Sequence, residues 1–295
     1  MNENTKAKFS LILSMFIFGT IGIFRKYVPL SSGLLAISRG YIGALFLILL
    51  IFIKKDKISF KAIKSNLILL CLSGGFIGIN WILLFESYHY TTVATATLCY
   101  YMQPIFVILA SPILLKEKLT PKKVICVLVA LVGMVFVSGV LQTGIPALSE
   151  AKGILYGLGA ALFYATVVLM NKKITNISAY DKTIMQLGMG AIVLSPYVML
   201  TQDFGTATLS MTPSLWALLL FVGLVHTGVA YALYFDSMKD LKAQTIAIFS
   251  YIDPIVAIIL SALLLKENMG LYGVIGAVLV LGSTFISELP EKERN

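Results

Sequence analysis

Apolar residues run through this chain in ten long blocks, each close to the roughly 20 residues a helix needs to cross the hydrocarbon core of a bilayer. The pattern predicts membrane helices over residues 8–26, 33–53, 66–88, 94–115, 121–141, 153–172, 182–201, 214–236, 243–265 and 271–288. Polar positions are confined mostly to the short connections. The longest interruptions are the lysine-rich stretch 54–65, the Gly-Pro-Ser stretch 142–152 and the Thr-rich stretch 201–213, and none resembles a soluble domain. The first block follows Lys6 and Lys8, as in a signal peptide. It has no small-x-small cleavage site and ends at Arg25-Lys26, so an uncleaved first span is expected.

Composition agrees with a polytopic membrane protein. Of 295 residues 58% are hydrophobic and 13% charged, against about 25% charged in a soluble domain. The formal charge of +9 raises the question of nucleic acid, but the basic residues lie in short loops between apolar runs. Positive-inside topology accounts for them, and no nucleic-acid partner is expected. With both termini in the cytoplasm, the inner segments hold 18 Lys and Arg residues and the outer side five. Cys71, Cys99 and Cys126 fall in apolar segments without metal spacing and read as small core residues. No metal or other cofactor is expected.

The chain also repeats itself. Residues 78–117 align without a gap to residues 228–267, with 14 of 40 positions identical. The identities include Phe85/Phe235, Ser87/Ser237, Tyr101/Tyr251, Pro104/Pro254 and the closing Lys116-Glu117/Lys266-Glu267. Each half carries five spans, an odd number, so the second must enter the membrane from the opposite face. The expected fold is all-α and polytopic: ten transmembrane helices in two five-helix inverted-topology repeats, residues 1–146 and 147–295. Lys116-Glu117 then lies inside and Lys266-Glu267 outside. Inverted repeats can exchange conformations, the structural logic of alternating access. The plainer alternative is a duplication that only built a stable bundle.

These residues resemble the drug/metabolite transporter superfamily in its ten-span form with two EamA-like domains. The resemblance rests on the proline-centred fourth and ninth spans that end in glutamate, Pro104…Leu115-Lys116-Glu117 and Pro254…Leu265-Lys266-Glu267. Glycine-dotted helices follow each, with Gly133 and Gly139, then Gly273, Gly276 and Gly282, and Arg39 lies a few residues into span 2. The first span departs from the family pattern, reading Phe18-Gly19-Thr20-Ile21-Gly22. The resemblance implies a central cavity bounded by spans 1, 3, 4, 6, 8 and 9, with spans 5 and 10 outside it. It also implies residence in a bacterial cytoplasmic membrane and export of amino acids, other metabolites or toxic small molecules.

Several residues can carry such chemistry. Asp253 lies ten residues into span 9, roughly 15 Å along a helix and near the bilayer centre, where a carboxylate must face a cavity or a partner. It can bind a cationic group or take up a proton, and its repeat counterpart is the neutral Gln103. The structural alternative is an interhelical hydrogen bond, for instance to a tyrosine. Pro104 and Pro254 kink their spans, free the carbonyls of residues 100 and 250, and provide paired hinges, or else a passive bend that aids packing. Tyr100, Tyr101, Tyr251, Trp81, Tyr231 and Tyr234 gather beside them; with Asn80 and Gln103 they would form an apolar pocket with polar handles. The charge pairs Arg25–Glu86 and Lys172–Asp236 are candidate outer and inner gates, against ordinary snorkelling. Arg39 is expected to brace helices, with substrate contact as the alternative. His89 and His226 lie near opposite ends of spans 3 and 8.

No Walker loop, zinc spacing or catalytic triad occurs, and Gln103 stands where an aspartyl enzyme would need a second carboxylate. The expected activity is therefore secondary transport: export of amino-acid-like, amphipathic or cationic solutes, with proton coupling through Asp253. A lipid flippase or passive facilitator on the same scaffold is the alternative. Partners are the solute, protons and the lipid bilayer. Spacings such as Gly153-x3-Gly157 permit close helix contacts, which leaves monomer and homodimer both open.

Overall fold

The computed structural model describes residues 3–114, 119–138, 141, 147–201, 211–238, 241 and 249–289, and every regular element among them is helical. In chain order these are α1 (Glu3–Tyr27), α2 (Ser32–Ile53), α3 (Phe60–Ser65), α4 (Leu67–Tyr90), α5 (Val93–Tyr100) and α6 (Gln103–Leu114). There follow α7 (Pro121–Val137), α8 (Leu148–Asn171), α9 (Ala179–Thr201) and α10 (Pro213–Phe221). A π-helical stretch (Val222–Val229) joins α10 to α11 (Ala230–Met238), and α12 (Ile252–Leu264) and α13 (Gly270–Glu288) complete the chain. Lys116-Glu117, Gly139, Lys239, Lys242 and the start of the ninth predicted span lie outside the described residues.

Eight membrane-length apolar stretches occur among the described residues, α5 with α6 forming one and α10 through α11 another. The fifth and ninth predicted spans are represented by shorter helices, α7 and α12. Helix starts follow from local chemistry. Ser31 accepts from the Leu34 N–H at 3.3 Å and Thr92 from the Thr95 N–H at 3.0 Å, each supplying an acceptor that the first turn lacks. Thr120-Pro121 and Thr212-Pro213 combine a hydroxyl cap with a proline at the first helical position, where the missing N–H costs nothing.

Packing follows a repeated scheme. α4 of the first half packs on α8 and α9, and its counterparts in the second half pack likewise, α11 on α1 and the π-helical stretch on α2. The contact of α6 with α8 has its counterpart in α12 with α1, while α2–α9 and α7–α13 each join equivalent helices. Glycines permit the closest approaches. A Cβ on Gly276 would stand 2.8 Å from the Gly133 carbonyl oxygen, so α7 and α13 meet backbone to backbone. Gly153 and Gly157 pack against Thr91 and Cys99, which places that small-residue pair inside the chain.

The outer surface is apolar. Leu200 and Ile113 are 86% and 81% exposed, and Leu271, Ile68 and Val278 are similarly bare. In water such a surface is a liability; in hydrocarbon it is the expected boundary. Length, composition and surface together define a multi-pass membrane protein.

Candidate binding cavity

The fourth membrane-length stretch is broken at its centre. α5 ends at Tyr100 and α6 begins at Gln103, with Tyr101 and Met102 between them. In the second half α12 begins at Ile252 with Tyr251 at its N-cap, within one residue of the same register 150 residues on. Pro104 and Pro254 thus stand in the first turn of a new helix, and the expectation of two kinked continuous helices is corrected to two helix starts. A proline there removes no intrahelical bond. The Ser250 carbonyl, four residues before Pro254, instead accepts from the Tyr101 hydroxyl at 3.4 Å, so one broken span is tied to the other.

Around these breaks lies a cavity of about 460 Å³. Asp253, Gln103, Tyr100, Tyr101, Tyr251, Trp81, Tyr231 and Tyr234 all line it. Asn80, grouped with them on sequence, is turned away: its side-chain nitrogen donates to the Ala160 carbonyl at 2.6 Å and braces α4 against α8. Sequence reading missed Tyr88, Thr97, Tyr164 and Ser250, which complete the polar wall, and Met15, Phe18, Ile21 and Leu84, which complete the apolar one. Tyr88 and Thr97 lie one turn from residues already singled out, a signal that helical spacing alone would carry. Tyr164 offered none, because its place depends on how α8 rotates against α5.

The walls are mostly aromatic. Tyr100 meets Tyr101 and Tyr164 with ring centroids 6.1 and 5.7 Å apart, Tyr101 meets Tyr251 at 6.4 Å, and Phe18 meets Tyr231 at 5.2 Å. Asp253 supplies a carboxyl group, hydrogen-bonded to Tyr101. Arg39, expected to brace helices or else to contact substrate, donates from Nε to Thr227 Oγ1 at 3.1 Å and also lines the cavity. Span 2 therefore joins the cavity-forming helices.

Beside Arg39 the eighth span adopts its π-helical turn, a geometry that often marks functional sites. His226 sits within it, not near the end of its span as the sequence reading had placed it, and is 1% exposed. Its Nε2 and Thr20 Oγ1 lie 2.8 Å apart, while Phe24 and Phe221 flank the ring.

The charged ends pair differently from the expected scheme. Arg25 donates to the Val28 carbonyl at 2.8 Å, to Ser32 Oγ at 3.2 Å and contacts His89 Nε2; no ion pair with Glu86 occurs within 4.0 Å. Asp236 binds Lys54 at 2.6 Å and the Tyr180 hydroxyl at 2.8 Å, where Lys172 was the expected partner. Glu267, noticed on sequence only as a motif residue, accepts from the Val93 N–H at 2.8 Å, contacts Ser261 Oγ and lies 3.7 Å from Lys26. Helix ends approach in three dimensions according to packing, and adjacency of this kind has no signature along the chain.

A multi-pass helical bundle around a polar, aromatic cavity at two broken helices is the architecture of a membrane transporter. The chain belongs to the EamA-like transporter family, whose model matches it twice, over residues 5–139 and 151–289. It is 31% identical over 280 residues to the uncharacterized transporter YxxF of Bacillus subtilis (strain 168), covering 94% of this chain and 88% of that one. It is also 29% identical over 252 residues to the uncharacterized transporter YoaV of the same organism, covering 84% of each. An uncharacterized transporter of Archaeoglobus fulgidus is 27% identical over 198 residues, 67% of each chain. A solved crystal structure superposes with a TM-score of 0.65 over 96% of both chains at 17% identity, a likeness of fold alone.

Proposed function

We propose that this protein is a secondary transporter that exports small organic solutes, amino-acid-like or amphipathic and cationic, by alternating access. The observation that carries this reading is the cavity itself, which collects Asp253, Gln103 and a ring of tyrosines where two spans break at matching positions. Uncovered backbone is tolerated in a membrane only where it is buried in protein or lines a cavity, and transporter sites are built from such broken helices. Ten spans in two inverted five-helix repeats, 1–146 and 147–295, fit the matched pattern of helix contacts and the two family matches. Both termini then face the cytoplasm of a bacterial cell.

In this reading Asp253 receives the cationic group of the solute or a proton, and Gln103 is its neutral counterpart. Pro104 and Pro254 mark the hinges. Asp236 with Lys54 and Tyr180 closes the inner end, while Lys26 and Glu267, beside Arg25 and His89, close the outer end.

A solute screen in proteoliposomes with and without a pH gradient tests the reading. The expected result is uptake or release that an inward or outward proton gradient accelerates, and that Asp253→Asn reduces by an order of magnitude or more. Transport insensitive to uncouplers, with Asp253→Asn fully active, assigns a facilitator and removes proton coupling.

A further inference from the structure

One charge in the cavity is left unused by that reading. Arg39 is 5% exposed and held on one side only: Nε donates to Thr227 Oγ1 at 3.1 Å, and Cζ lies 4.3 Å from the Trp81 ring centroid and 5.4 Å from that of Phe85. No hydrogen-bond partner for its two terminal nitrogens occurs among the described residues, and neither of the two ion pairs found there includes it. Aromatic faces offset part of the cost of burying a cation, but they leave the guanidinium donors unused. The residue lines the same cavity as Asp253 without pairing with it. An acidic and a basic group that face one space without pairing with each other describe the complement of their ligand.

Resting on the cavity as the solute site, we propose that Arg39 is its anion subsite: the terminal nitrogens bind the carboxylate of a solute whose cationic end lies at Asp253. A planar fork fits a carboxylate with two parallel hydrogen bonds, and the Trp81 and Thr227 contacts hold that fork in place before the ligand arrives. The preferred solute therefore carries both charges, with its apolar part against the tyrosines. Purely cationic amphiphiles satisfy only Asp253 and leave a buried guanidinium unpaired, which selects against them.

The test uses the full-length protein in lipid nanodiscs and three probes that share an indole ring: tryptophan, tryptamine and indole-3-propionate, a zwitterion, a cation and an anion. Equilibrium dialysis is expected to rank tryptophan tighter than tryptamine by about tenfold or more, the scale of a charge-assisted bidentate contact. Arg39→Gln should abolish that difference by weakening tryptophan and not tryptamine, and Arg39→Lys should retain part of it. Asp253→Asn should weaken tryptophan and tryptamine but not indole-3-propionate. Should Arg39→Gln fail to fold, the wild-type ranking and Arg39→Lys decide the matter. Wild-type binding of tryptamine as tight as that of tryptophan, or an equal loss of both probes in a folded Arg39 variant, overturns the subsite and leaves the transport reading standing. Binding of none of the three overturns the cavity as the solute site, and the subsite with it.

Discussion

Glu267 shows how much one side chain can join. Its carboxylate accepts from the first N–H of α5, contacts Ser261 in the last turn of α12 and faces Lys26 at the end of α1. It thus caps a helix 174 residues away while holding three elements together. Glu267→Ala should cost about 0.5–2 kcal/mol, the range for losing a helix cap, read as a lower unfolding temperature of the detergent-solubilised protein. Glu267→Gln, which keeps an acceptor and loses the charge, should retain most of that stability because the Lys26 contact at 3.7 Å is partly solvated. The Leu-Lys-Glu motif was legible in the sequence as a family mark. Its task was not, since a cap donated from so far along the chain has no local pattern. The same holds for His226: its identity was plain, but its position depends on a π-turn that hydropathy does not register.

At the scale of elements, most boundaries were legible because hydrocarbon thickness imposes a length that the apolar blocks must meet. α2 spans 32–53 against an expected 33–53, and α9 spans 179–201 against 182–201. The fourth span was harder. A proline in a long apolar run is compatible with a kink or with a break, and only the packing of Tyr101 and Met102 between α5 and α6 distinguishes them. The distinction has consequences. A proline in a first turn makes little difference to the folded state, so Pro104→Ala and Pro254→Ala should each change stability by no more than about 1 kcal/mol. Interior kinks would instead gain helix on replacement. Turnover should fall in both variants as the two short helices lengthen toward one another, and transport rates set beside unfolding temperatures will separate the two effects.

The whole molecule is a bundle with a bare apolar surface and polar chemistry confined to its centre and ends. Its orientation follows from charge, and single cysteines at Lys57 and Ser149 in a variant lacking the three native cysteines should report it. A membrane-impermeant maleimide added to intact cells is expected to label position 149 and spare position 57; the reverse pattern inverts the topology. The proposed inner closure is also a property of the whole, because Lys54 and Asp236 come from opposite halves of the chain. Their side chains are 35% and 40% exposed, so the pair should add less than about 1 kcal/mol to stability. Lys54→Asp and Asp236→Lys should each slow transport, and the double exchange should restore it; no rescue would exclude the pair as a gate.

The matched scheme of helix contacts carries one more consequence. Under the proposed alternating access, identical halves could trade roles to give a second arrangement of equal free energy, and the molecule would spend half its time in each. The halves differ, with Gln103 opposite Asp253 and Gln186 opposite Arg39, and each difference lifts that degeneracy. The resting population is therefore written in the positions where the repeat fails to repeat. A solute or proton that acts on those positions tilts the two levels directly, and substitutions that make the halves more alike should bring the two populations closer together.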